Sequence, residues 1–156
     1  MPRSSSPPAL APNDNRRLIT RVVSSEIIQA LTDLARAHGG DMFEMLVFTA
    51  IWTANTGHLD STSRYAGLYD IPPDRDRRPL PQAELAAIIG APPQILDHYL
   101  DRLIGYGVVE RVSAGLTVPS AVFTRPDMLE GSNAIYLRMT RLIAALRNVG
   151  FEVDAA

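Results

Sequence analysis

The chain has 156 residues, 46% of them apolar, and carries 17 acidic against 15 basic side chains for a formal net charge of −2. That length suits one compact domain with its own core, and the charge balance excludes a uniformly basic protein, though not a locally basic one. No apolar run approaches the roughly 20 residues of a membrane span, and the absence of cysteine excludes disulfides, thiolate chemistry and Cys-based zinc sites.

The opening MPRSSSPPALAPNDN is rich in Pro and Ser, has no apolar centre like that of a secretory signal, and reads as a disordered arm over 1–15. A reducing cytoplasm is the expected location. All 15 basic residues are Arg, which fits a coding bias that also favours Ala and Pro.

Residues 16–23 (RRLITRVV) are open between a short strand and a helical lead-in. Ser24-Ser25-Glu26 then supplies a capping hydroxyl and a first-turn acid for a helix start. Ile27, Ile28, Leu31, Leu34 and Ala35 follow at helical spacing, and His38-Gly39-Gly40 stops the run. Asp41 caps a second helix reaching about Asn55. Its apolar residues from Met42 to Ala54 wrap nearly all the way round, as expected for a central helix or one shared with another subunit.

From Gly57 to Pro81 the prolines rule out a continuous helix, and a loop of this length inside a compact domain is commonly functional or mobile. Its Arg75-Asp76-Arg77-Arg78 run reads as a solvated stretch of mixed sign. Helices are then expected over Gln82–Ile89 and from Pro93 to about Tyr106, joined by a turn at Gly90. Two short strands, 108–112 and 116–118, flank Ser113-Ala114-Gly115, with Pro119 ending the second at a sheet edge. Ser132 is expected to cap the last helix, whose apolar stripe is Ile135, Met139, Leu142, Ile143 and Leu146. Gly150 and Phe151 fit a Schellman ending.

Between Pro81 and Val118 the spacing of Leu85-Ala86, Gly90, Leu96, Leu100, Leu103, Gly107-Val108-Val109-Glu110-Arg111 and Gly115 resembles the winged helix-turn-helix transcription regulators of MarR, GntR and Crp type. This implies a mostly α fold with a short β-hairpin: helices over 16–56 for core and dimerisation, a long loop over 57–80, a winged helix-turn-helix over 81–125 and a C-terminal helix over 126–156. It further implies a homodimer, joined through Met42–Ala54 and the C-terminal helix, that binds double-stranded DNA and regulates transcription. The helix from Pro93 would lie in the major groove. There Pro93, Gln94, Asp97 and His98 approach base edges, with Arg102, Arg111 and Arg125 on phosphates.

The residues themselves pull in two directions. With Leu96, Leu100 and Leu103 inward, the outward face of that helix is Gln94, Asp97, His98 and Asp101. Gln94 suits adenine, but the segment from Pro79 to Pro126 holds four acids (Glu84, Asp97, Asp101, Glu110) against three arginines. Since phosphate neutralisation supplies most non-specific affinity, further cations are expected from Arg16, Arg17, Arg138 and Arg141. The alternative is a winged-helix module that no longer binds DNA and meets a basic protein at its acidic face. A third reading places a ligand pocket among Met42, Met45, Phe48 and Trp52.

His38, His58 and His98 fall in no metal-binding spacing, and no P-loop, GxSxG or GxGxxG is present. His58 close to Asp60 is the nearest thing to a catalytic pair. Neither an enzyme, a metal site nor a cofactor is expected.

Overall fold

The computed structural model describes residues 14–36, 39–59 and 63–151. Residues 1–13 of the arm expected over 1–15, together with His38 and Asp60, lie outside the described residues, whereas Asp14 and Asn15 are ordered at the start of α1. Among the described residues, five α-helices, α1 (Arg16–Arg36), α2 (Met42–Thr56), α3 (Gln82–Ile89), α4 (Pro93–Gly105) and α5 (Pro126–Asn148), account for most of the structure. They are joined by one antiparallel hairpin, β1 (Glu110–Val112) and β2 (Gly115–Thr117). No helix among the described residues is long and apolar enough to cross a membrane.

α2 organises the core. Asp41 caps it by accepting from the Phe43 and Glu44 amides at 3.1 and 3.0 Å, which satisfies two of the helix's orphan donors. Its Val47, Phe48 and Ile51 pack against Leu85 of α3, Leu96, Leu100 and Leu103 of α4, and Val109, Leu116, Val118 and Val122 beyond them, all buried. The helix is therefore central, and only Met42 and Leu46 among its large apolar side chains are strongly exposed.

The α3–α4 region follows its sequence pattern closely. α3 ends on Gly90 in the left-handed conformation (φ 69°), and α4 begins with Pro93 at its first position, where no amide donor is missed. α4 closes through the Val108 amide on the Leu103 carbonyl and the Gly107 amide on the Ile104 carbonyl, with Gly107 at φ 64°. These are the two bonds of a Schellman ending.

The hairpin is shorter than expected, and β2 is not an edge. Leu116 pairs with Arg111 on one side, while on the other it exchanges both backbone bonds with Leu80 at 2.8 Å. A third stretch of chain thus flanks β2, and the break at Pro119 marks only where its ladder ends. Gly115 permits this approach: its φ is +141°, and a Cβ there would meet the Leu80 carbonyl oxygen at 2.5 Å. Glycine is required on both counts.

Asn55, fully buried at the end of α2, joins the layers. Its side-chain amide donates to the Arg78 and Leu116 carbonyls at 2.8 and 3.0 Å, and its oxygen accepts from the Val118 amide at 2.9 Å. The backbone carbonyl of Asn55 also takes the Arg78 amide. One side chain therefore satisfies three backbone groups of the loop and the hairpin, two of them buried.

α1 and α5 form a separate antiparallel pair. Both begin earlier than expected. α1 starts at Arg16, with Asp14 accepting from the Arg16 backbone and the Asn15 carbonyl receiving the Ile19 amide. Residues 16–23 are helical, and Ser24-Ser25-Glu26 lies inside the helix rather than capping it. α5 starts at Pro126, so Ser132 is internal as well, and its hydroxyl returns to the Met128 carbonyl at 2.9 Å. All three serines are compatible with a helix interior when such local bonds or solvent satisfy the hydroxyl. The other end of α5 matches expectation, with Gly150 at φ 75° and the Phe151 amide on the Leu146 carbonyl.

Polar ties hold this pair together. Asn15 donates to the Val149 carbonyl, and Arg138 reaches Gln29, Asp33 and Glu26. The pair buries little: α1 contributes only Ala35 to the buried set, and α5 contributes nothing.

Candidate nucleic-acid interface

α4 presents its outer face as its period requires. Leu96, Leu100 and Leu103 are buried while Pro93, Gln94, Asp97, His98 and Asp101 are exposed. The His98 ring stands edge-on to Tyr99, with centroids 5.3 Å apart. A three-member polar chain connects this face to the hairpin. Arg111 donates to the Gln82 side-chain oxygen at 2.8 Å, and the Gln82 amide donates to Asp97 at 2.6 Å. Gln82, absent from the sequence-based set, thereby fixes Arg111 beside the acidic position of α4 and partly occupies the Asp97 carboxylate.

The remaining predicted cations are differently disposed. Arg102 turns back from the exposed face, its guanidinium 3.0 Å from Asp41 and 2.8 Å from the buried Glu44, lying over the Tyr99 ring. It couples the start of α2 to α4. The Glu44 amide, and then Arg102, hold the Asp41 carboxyl below the usual range. Arg125 is exposed and donates to the Gly107 carbonyl at 3.2 Å, just past the end of α4.

Of the four auxiliary arginines, Arg16 is taken up by Asp14 through two side-chain bonds of 2.9 Å, and Arg138 is engaged between α1 and α5. Arg17 and Arg141 are exposed. α1 and α5 pack chiefly on each other, with α1 also against α2 and α5 against the 120–124 turn. The structure therefore unites Arg111, Gln82 and Asp97, keeps Gln94 and His98 beside them, and turns Arg102 and Arg138 to structural contacts.

The expected solvated run at 75–78 needs correction. Arg75 and Arg78 are exposed, but the Arg77 side chain is only 2% exposed and its Nη2 donates to the Pro72 carbonyl. Packing against Phe123, with the guanidinium carbon 5.1 Å from the ring centroid, draws it inward. His58 has a buried Nδ1 without a hydrogen-bond partner. Among the described residues no cluster of three His, Asp or Glu is arranged to hold a metal ion. No family model, curated protein or solved structure matches the chain.

Proposed function

We propose that the chain is a winged-helix regulator of transcription that binds double-stranded DNA as a homodimer in the cytoplasm, with α4 in the major groove. The observation that carries this reading is the exposed polar face of α4, locked from behind by three buried leucines and flanked by Arg111 on the hairpin. A rigid helix with an uncommitted amide at its first turn and a cation on an adjoining hairpin can reach base edges and backbone together. Gln94 reads a base, His98 donates to a base edge or a phosphate, and Arg111 and Arg125 set the register on phosphates.

The second copy is proposed to cover α5 and the neighbouring face of α1. Ile27, Ile28, Tyr136, Leu137, Met139 and Ile143 are all exposed there, and such an apolar surface on helices without a closed core is suited to a two-fold contact. Dimerisation also doubles a phosphate-binding charge that is small in each subunit.

Anisotropy titration of the full-length protein against genomic DNA fragments at low and moderate salt tests the reading. Salt-dependent binding is expected. Gln94→Ala should relax preference at one base pair at a cost of about 1–3 kcal/mol, whereas Arg111→Ala should weaken all sequences and lower the salt slope by about 1. Absence of salt-dependent binding by the dimer overturns it. That outcome favours the alternative of a basic protein partner, because Asp97 and Asp101 are exposed while Arg102, the one arginine of α4, is engaged behind the helix.

A further inference from the structure

A recess of about 440 Å³ opens between the last turns of α2, the 65–77 loop, the 120–124 turn and the first turns of α5. Trp52, Leu59, Leu68, Phe123 and Leu129 give it apolar walls, and Arg77 also lines it. Its size lies within the range of small-ligand sites, which are commonly apolar with a few placed polar groups.

Arg77 is the unusual member. Only Nη2 has a hydrogen-bond acceptor, the Pro72 carbonyl at 3.0 Å, while Nε and Nη1 are buried without one. The nearest carboxylate, Asp74, stands 3.6 Å from Nε, and the same Asp74 oxygen already accepts from the Ser120 amide at 2.6 Å. Burial accordingly pushes the guanidinium below the usual arginine range, against the opposing pull of Asp74. A buried cation left this far from full pairing is costly, and an anion brought by a ligand would relieve that cost.

The lining also limits the charge of that anion. Asp70 is the one acid among the lining residues, and its Oδ2 accepts from the Gly67 amide. One arginine set against one acid suits a monoanion better than a phosphate dianion, and the aromatic and aliphatic walls call for a hydrocarbon body. We propose that this recess binds a small apolar carboxylate, an aryl or branched-chain acid, with its carboxylate against Arg77 and its body against Trp52, Phe123 and Leu129. The site stands independently of what α4 binds.

Trp52 is the only tryptophan in the chain, so its fluorescence reports occupancy directly. The full-length protein is titrated with benzoate, 4-isopropylbenzoate and isovalerate, with the matched amides, and with inorganic phosphate at equal ionic strength. A saturable change is expected with at least one acid, about tenfold or more tighter than its amide, and none with phosphate. Arg77→Gln should erase the preference of acid over amide. Ser132→Phe, at the exposed rim, should weaken acid and amide alike, which keeps the test decisive if Arg77→Gln fails to fold. No saturable change with any acid, equal binding of acid and amide, or a response to phosphate alone overturns the proposal.

Discussion

The two halves of this molecule bury their apolar residues to very different degrees. The body built on α2, α3, α4 and the hairpin closes over a continuous set of buried Leu, Val, Ile and Phe, stitched through Asn55. The α1–α5 pair is longer in helix yet fully buries only Ala35, outside that set. Its Leu31, Leu34, Ile135 and Leu142 are half-buried, Arg138 and Asn15 tie the helices together, and Ile27, Ile28, Leu137 and Ile143 face outward. Helices in water gain most of their stability from packing an amphipathic face. The body thus closes a continuous core, with Met128 of α5 packed against it, whereas the pair leaves large apolar side chains exposed.

The contrast can be broken most forcefully from within the body. Gly115→Ala adds a Cβ against the Leu80 carbonyl at a backbone angle that side chains rarely adopt. A loss of about 3 kcal/mol or more is expected in denaturant unfolding, accompanied by loss of the Leu80–Leu116 bridge. Asn55→Ala should come next, at about 2–3 kcal/mol, because it strands the Val118 amide and the Arg78 carbonyl. A change below 0.5 kcal/mol (about one net hydrogen bond or less) would show that water replaces the side chain.

Substitutions in the pair should read out differently. Ile143→Asp, on the exposed face of α5, is expected to convert dimer to monomer in sedimentation while leaving the body's unfolding transition in place. A dimer that persists would move the interface elsewhere, with Met42 and Leu46 of α2 the next exposed apolar positions. The smallest effect is a pH dependence. Arg138 holds the Asp33 carboxyl below its usual range, and the Glu44 amide and Arg102 do the same for Asp41. Groups lowered on folding stabilise above their unfolded value of about 3.9 and lose that contribution as pH falls through the folded value. Denaturation midpoints should be flat in this contribution from pH 7 to about 5 and fall below about 4. Arg138→Ala should flatten the part of that fall due to Asp33.

What was legible in the sequence is what local chemistry specifies. Asp41 before α2, Gly90 and Gly107 in left-handed conformations, Pro93 at a helix start and the leucine spacing of α4 each act within a few residues of themselves. The starts of α1 and α5 were obscured because serines inside a helix look like caps when read alone. Asn55, Gln82 and the inward turn of Arg77 left no local signal. Asn55 bonds to residues more than 60 positions away, and in sequence it is one more polar residue near a helix end. The same holds for Arg102, whose partner Asp41 is 61 positions distant. The outward face of α4 could be read from periodicity, but which of its neighbouring cations were engaged elsewhere could not.

The bond from the Asn15 side chain to the Val149 carbonyl, 2.9 Å long, places the start of α1 beside the finish of α5. Splicing those two ends with a flexible linker and reopening the chain at Tyr69, which is 77% exposed, would give a circular permutant. In it α5 runs directly into α1 as a continuous helical hairpin. Because joining element ends that lie close together is well tolerated, the permutant should fold, and the α5–α1 hairpin would then form from neighbours in sequence instead of from segments 134 positions apart.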